Sequence, residues 1–167
     1  MLKYRLQQWR PRMEPNTVHN TFVVERAYPK PPERVFQAFA SADQKRRWFG
    51  EGPAHDLVSF EQDFRAGGFE RLVYRMKAGT PIAGASIANE LYYQEITADR
   101  RIVFAQTMAM NGKPFSATLV TIELLGSDAG TDLLCTHQGA FFEGADGPQM
   151  REHGWRQLFE KLAAQLG

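Results

Sequence analysis

Three observations predict an α+β domain in which a curved antiparallel sheet of about six to seven strands wraps one long C-terminal helix. The middle of the chain is a series of β-branched and aromatic runs joined by short connections. The final segment carries an apolar stripe at helical spacing, and two short helical segments separate the first strand from the others.

Residues 21–28 are mostly β-branched or aromatic, with Phe22 and Val24 on one face, and predict the first strand. Pro29, Pro31 and Pro32 end it. Pro31 and Pro32 suit a helix start, where an N–H has no intrahelical partner, and Val35, Phe36 and Phe39 follow at helical spacing. Ser41 with Gln44 three residues on is a capping-box pattern that starts a second helix. Its Lys45, Arg46 and Arg47 are expected on a solvated face, leading into Trp48 and Phe49. Strands follow near 55–63, 68–76, 87–96, 101–109, 115–125 and 131–141, with Asn111-Gly112 as one turn. Connections this short require antiparallel neighbours, since a parallel crossover needs a dozen or more residues. Gly147-Pro148 marks the start of the last helix, whose Trp155, Leu158, Phe159, Leu162 and Leu166 form one stripe.

Asp63-Phe64-Arg65-Ala66-Gly67-Gly68 joins a charged strand end to a paired-glycine turn. A chain that bends sharply beside another backbone needs residues without a Cβ. An ordinary tight turn would use the same residues.

The 167 residues fit one domain, burying roughly 70% of the surface of the unfolded chain. Neither repeats nor a linker divides them, so residues 21–167 are read as a single domain and residues 1–20 as an N-terminal extension. The change of composition near Met13 suggests that residues 1–12 precede the natural start. Twenty Lys and Arg against 19 Asp and Glu give a net charge of +1, which provides no field for nucleic acid or an anionic membrane. Lys3, Arg5, Arg10 and Arg12 interrupt the apolar residues near the N-terminus, so no secretory signal is read there. With a single cysteine, Cys135, a cytoplasmic location is expected. His19, His55, His137 and His153 share no metal-ligand spacing, so neither a metal nor a cofactor is expected. No phosphate-binding glycine loop or nucleophile elbow is present.

An ordered set of motifs runs from Arg26-Ala27-Tyr28 through Pro31, Glu33, Val35-Phe36 and Trp48-Phe49 to the segment ending at Gly67-Gly68. Tyr93, Glu95, Ile96, Arg101-Ile102-Val103, Gly130-Thr131, Leu133, His137, Gly154-Trp155, Leu158 and Leu162 complete the set. In order and spacing these motifs resemble the START-like superfamily, also called SRPBCC or helix-grip, and within it the branch named after the activator of the Hsp90 ATPase. Leu91 stands where such proteins have glycine and Ala98 where they commonly have proline, departures expected to bear on the pocket or its rim.

A straight helix laid in a coiled sheet touches it along a seam and leaves room at one end, which is the candidate ligand cavity. Trp155, on the core stripe, is either packed core or part of the cavity lining, whereas Trp48 and Phe49 either plug the sheet or form a cavity wall. His137 alternates with Leu133, Cys135 and Phe141, so it points inward, either as hydrogen-bonded core, the ordinary state of a lone inward histidine, or as a residue that contacts the ligand. Arg151, one turn before Trp155, either aims its guanidinium at the cavity mouth or snorkels to solvent. Tyr93, Phe104 and Gln106 complete the candidate lining, and alternation alone assigns their faces.

The leading expectation is a binding protein for a small hydrophobic or aromatic molecule. A cyclase- or hydratase-type enzyme would need at least two of His137, Tyr93 and Arg151 to converge within hydrogen-bond reach of one spot. The resemblance also implies a chaperone cofactor acting on Hsp90, but eukaryotic activators carry a further N-terminal domain that about twenty residues cannot supply. Monomer and homodimer both stay open.

Overall fold

The computed structural model describes residues 15–167. The reading of residues 1–12 and of Met13 lies outside the described residues. Strand β1 (Val18–Tyr28) is followed by helix α1 (Pro32–Ala40), the single turn α2 (Ala42–Lys45) and a π-helical turn (Arg46–Gly50). Six strands then run in succession: β2 (His55–Gln62), β3 (Phe69–Met76), β4 (Ser86–Thr97), β5 (Arg101–Met110), β6 (Lys113–Ser127) and β7 (Gly130–Phe141). Helix α3 (Pro148–Leu166) closes the chain.

All seven strands form one antiparallel sheet in the order β1-β7-β6-β5-β4-β3-β2. Five consecutive hairpins make the meander from β2 to β7, while the helical segment carries the chain from β1 at one edge to β2 at the other. Register shifts at Leu57/Ser59, Tyr93/Glu95 and Met108/Ala109 add local bend and twist to the sheet. The result is the helix-grip fold. β1 begins at Val18, earlier than the predicted residue 21, and the Asn16 amide donates to the Glu143 carboxylate, so ordered contacts reach back into the predicted extension.

Alternation sets the core. Leu133, Cys135, His137 and Phe141 of β7 are buried with Val120, Ile122 and Leu124 of β6, and α3 lays Trp155, Phe159, Leu162 and Leu166 against this side of the fold. Tyr28 donates its hydroxyl to the Phe159 carbonyl at 3.0 Å, tying α3 to the β1 edge. Burial raises that phenol's pKa above the usual tyrosine range.

Ser41 caps α2 as predicted, its hydroxyl accepting from the Gln44 N–H at 3.4 Å. The π turn that follows adds one residue to the turn, closed by the Glu51 N–H on the Arg46 carbonyl, and buries Trp48, Phe49 and Gly50 together. The expected solvated face is corrected here: Arg47 is exposed and Arg46 half-buried, but Lys45 is buried. Its ammonium lies 2.9 Å from the Glu70 carboxylate and within 4.8–5.8 Å of the Phe49, Phe39 and Phe104 ring centres.

The paired glycines have separate jobs. Gly67 adopts φ +80° and donates its N–H to the Tyr93 carbonyl at 2.8 Å. A Cβ on Gly68 would lie 2.1 Å from the Asp63 carbonyl oxygen, so the turn closes onto its own backbone only with glycine there.

Candidate functional site

Between the N-terminal half of α3 and strands β3, β4 and β5 lies a cavity of about 300 Å³. α3 runs closest to β1, the π turn and α1, and the cavity occupies the side where the helix stands off the sheet. Phe49, Leu72, Met108, Trp155 and Leu158 form its apolar wall, and Met150 and Gln157 are exposed at its mouth. Phe49 and Trp155 have ring centres 6.0 Å apart, so the π turn and α3 build one aromatic wall. Gly154, inside the helix, also faces this space, and a Cβ there would meet no atom within 4 Å.

The polar wall is built from sheet and helix. Gln106 donates to Asn89 Oδ1 at 2.6 Å and accepts from the Thr118 hydroxyl at 3.3 Å, a chain across β4, β5 and β6. Arg151 is held by Asp146 through two 2.7 Å bonds, from Nε and Nη2, and Nη2 also donates to Ser116 at 2.9 Å. Its guanidinium lies 5.1 Å from the Phe141 ring centre, while Nη1 is buried without a hydrogen-bond partner. Tyr74 contributes a phenol whose pKa is pushed up to about 12, chiefly by burial, so it stays protonated at neutral pH. His55 tilts over Tyr74 at 4.3 Å and its Nε2 lies 2.8 Å from the Gly50 carbonyl, which requires a proton on that nitrogen.

Of the sequence candidates, Phe49, Gln106, Arg151 and Trp155 line this cavity; Trp48, Tyr93, Phe104 and His137 do not. Trp48 is a plug: its indole donates to the Ala38 carbonyl at 2.8 Å, and its ring meets Phe39 and Phe49 edge to face. Tyr93 gives its hydroxyl to Glu70 at 2.8 Å and accepts from Gln62 at 3.0 Å, with Phe104 as its cross-strand partner in the core. Arg151 does not snorkel: its side chain is buried, and Asp146, in the surface loop before α3, compensates its charge.

His137 is fully buried, stacked on Phe22 at 4.5 Å and near Phe141 at 6.1 Å. The expected hydrogen bond is missing, since neither ring nitrogen has a partner. Burial, reinforced by the Arg151 charge, lowers its pKa to about 4 and keeps the ring neutral. Tyr93 is committed to Glu70 and Gln62, and although His137 and Arg151 both pack on Phe141, only Arg151 of the three lines the cavity.

Sequence reasoning missed Leu72, Tyr74, Asn89, Asp146 and Gly154. Alternation along β3 and β4 puts Leu72 with Tyr74, and Asn89 with Leu91 and Tyr93, on the inner face, which was the usable signal. Asp146 sits in the loop before Gly147, where no periodicity operates. Neither departure from the resemblance touches the cavity: Leu91 is buried core and Ala98 is exposed in the β4–β5 turn. A second, open depression of about 700 Å³ lies on the outer side, lined by Arg34, Gln44, Arg47, Trp48, Lys161 and Gln165.

Among the described residues, no helix is long and apolar enough to cross a membrane, and no His, Cys, Asp and Glu cluster suits a metal ion. A comparison with curated proteins finds no match. Among solved structures, the Mll3558 protein of Rhizobium loti is 44% identical with a TM-score of 0.77, covering 89% of this chain and 98% of its own. An uncharacterized protein from Rhizobium leguminosarum is 30% identical with a TM-score of 0.81, covering 90% and 95%. An AHSA1-like protein from Aeromonas hydrophila, 16% identical with a TM-score of 0.65 over 88% and 92%, shares the fold. The family described as Activator of Hsp90 ATPase homolog 1-like protein matches residues 29–167, and the chain belongs to that family, a START-like branch with the helix-grip fold.

Proposed function

We propose that the protein binds a small hydrophobic or aromatic molecule in the cavity between α3 and strands β3 to β5. The observation that carries this reading is the cavity itself, about 300 Å³ with an aromatic wall of Phe49 and Trp155. Ligand sites are largely apolar concavities with a few placed polar groups, and both elements are present. Gly154 adds support. A glycine inside a helix costs about 1 kcal/mol relative to alanine, and here it leaves open space on the cavity side. A reducing, cytoplasmic setting belongs to the same reading, supported by the free and buried Cys135, whose thiol pKa burial raises.

The test is a thermal-shift and native mass spectrometry screen of small aromatic compounds against the wild type and Gly154→Phe. The account expects stoichiometric binders of the wild type that the variant loses, because the added ring occupies the cavity. Gly154→Ala serves as the folding control, with unchanged or higher stability. Equal binding by the wild type and Gly154→Phe would remove the reading.

A further inference from the structure

We infer that the cavity selects an uncharged molecule carrying a hydrogen-bond acceptor, an aromatic carbonyl compound, over the matching carboxylate or plain hydrocarbon. This inference rests on the ligand-binding reading above and names the chemistry of that ligand.

The formally charged side chains on the cavity wall are Arg151 and Asp146, and they are joined by two 2.7 Å hydrogen bonds. Their charges cancel where a ligand would sit. A carboxylate entering this space would lose its hydration and gain no uncompensated cation in return. This wall therefore disfavours anions despite containing an arginine.

The polar groups left over are mainly donors. Gln106 occupies Asn89 Oδ1, while among the described residues the Asn89 Nδ2 makes no hydrogen bond. Asn89 is 6% exposed and lines the cavity. The Tyr74 hydroxyl has no partner among the described residues and keeps its proton at neutral pH. Arg151 Nη1 also lacks an acceptor but is sealed from the cavity space, so the donors open to a ligand are those of Asn89 and Tyr74. Once a ligand displaces water from these donors, each one left unmatched costs about 1–3 kcal/mol, so a ligand with an acceptor within their reach gains over one without. Phe49 and Trp155, from the π turn and α3, supply the aromatic wall for the rings, while Leu72 and Met108 flank Asn89 on the sheet side as its cross-strand partners. His55 lends no free Nε2–H, which faces the Gly50 carbonyl.

Isosteric probes isolate the two terms. Isothermal titration at neutral pH compares 2-acetylnaphthalene, 2-naphthoate and 2-ethylnaphthalene, and the one-ring set acetophenone, benzoate and ethylbenzene. The ketone of at least one set is expected to bind the wild type about tenfold tighter than its carboxylate and its hydrocarbon, as one unpaired buried polar group implies. Asp146→Asn, which leaves the Arg151 charge uncompensated, is expected to shift preference toward the carboxylate. A wild type that prefers the carboxylate, or that binds hydrocarbon and ketone equally, overturns this inference and leaves the cavity reading standing. Failure of all six probes overturns both.

Discussion

The Lys45 ammonium lies 2.9 Å from the Glu70 carboxylate, and the two side chains are only 3% and 2% exposed. The pair bolts the π turn to β3. Glu70 also accepts from Tyr93 at 2.8 Å and from Gln62 at 3.1 Å, and Gln62 donates onward to the Phe39 carbonyl at 2.9 Å. Burial and the Glu70 charge both push the Tyr93 phenol above the usual tyrosine range, so it remains a donor to that carboxylate. Because the π turn that carries Phe49 starts directly after Lys45, this polar cluster positions the aromatic wall of the cavity.

Breaking one side of that pair leaves the other charge buried and uncompensated. Lys45→Met is expected to lower stability by roughly 3–5 kcal/mol, whereas Lys45→Met with Glu70→Gln, which removes the charge but keeps an acceptor for Tyr93, recovers much of the loss. Urea unfolding of both variants measures it. A single variant within about 0.5 kcal/mol of wild type would show that the pair does not hold the turn.

His137 makes stability depend on pH in one direction. Its folded pKa, about 4, lies below the ordinary 6.5, so between those values the unfolded chain binds a proton that the folded chain refuses. This group's contribution is intact above about pH 6.5 and falls as the pH drops, by roughly 3 kcal/mol across the window. Folding free energies measured at several values between pH 4 and 7 should decline more steeply for wild type than for His137→Leu. Parallel curves would mean that His137 titrates equally in both states.

The two glycines of the Asp63–Gly68 turn differ in what they tolerate. Gly67→Ala meets only the φ penalty of about 1–2 kcal/mol, since just the end of Arg65 lies near, at 3.9 Å. Gly68→Ala drives its methyl into the Asp63 carbonyl and is expected to cost more, with wider disturbance of β2 and β3. Thermal denaturation of both variants checks the order. The reverse order would contradict the close approach described here.

Much of the architecture was readable because alternation and helical spacing are local. Leu133, Cys135 and His137 announced an inner strand face, Ser41 with Gln44 a helix start, and the Trp155 stripe the long helix. Lys45 was misread because a single α turn running into a π turn has no settled period, and its counter-ion Glu70 stands 25 residues away on another strand. The cavity was only half legible. Asn89 and Gln106 meet diagonally across β4 and β5, a relationship that exists once the register pairs Leu91 with Gln106. His137 faces inward as alternation required, but the elements around it determine that it meets Phe22 and Phe141 instead of a ligand wall.

The most direct test is an amide-resolved NMR titration of the wild-type protein with 2-acetylnaphthalene. Shifts concentrated at Leu72, Asn89, Gln106, Met108, Gly154 and Trp155 are the predicted result, placing the probe between α3 and the sheet. Shifts confined to Arg34, Gln44, Arg47 and Lys161 around the outer depression, with the inner residues unmoved, would contradict the account.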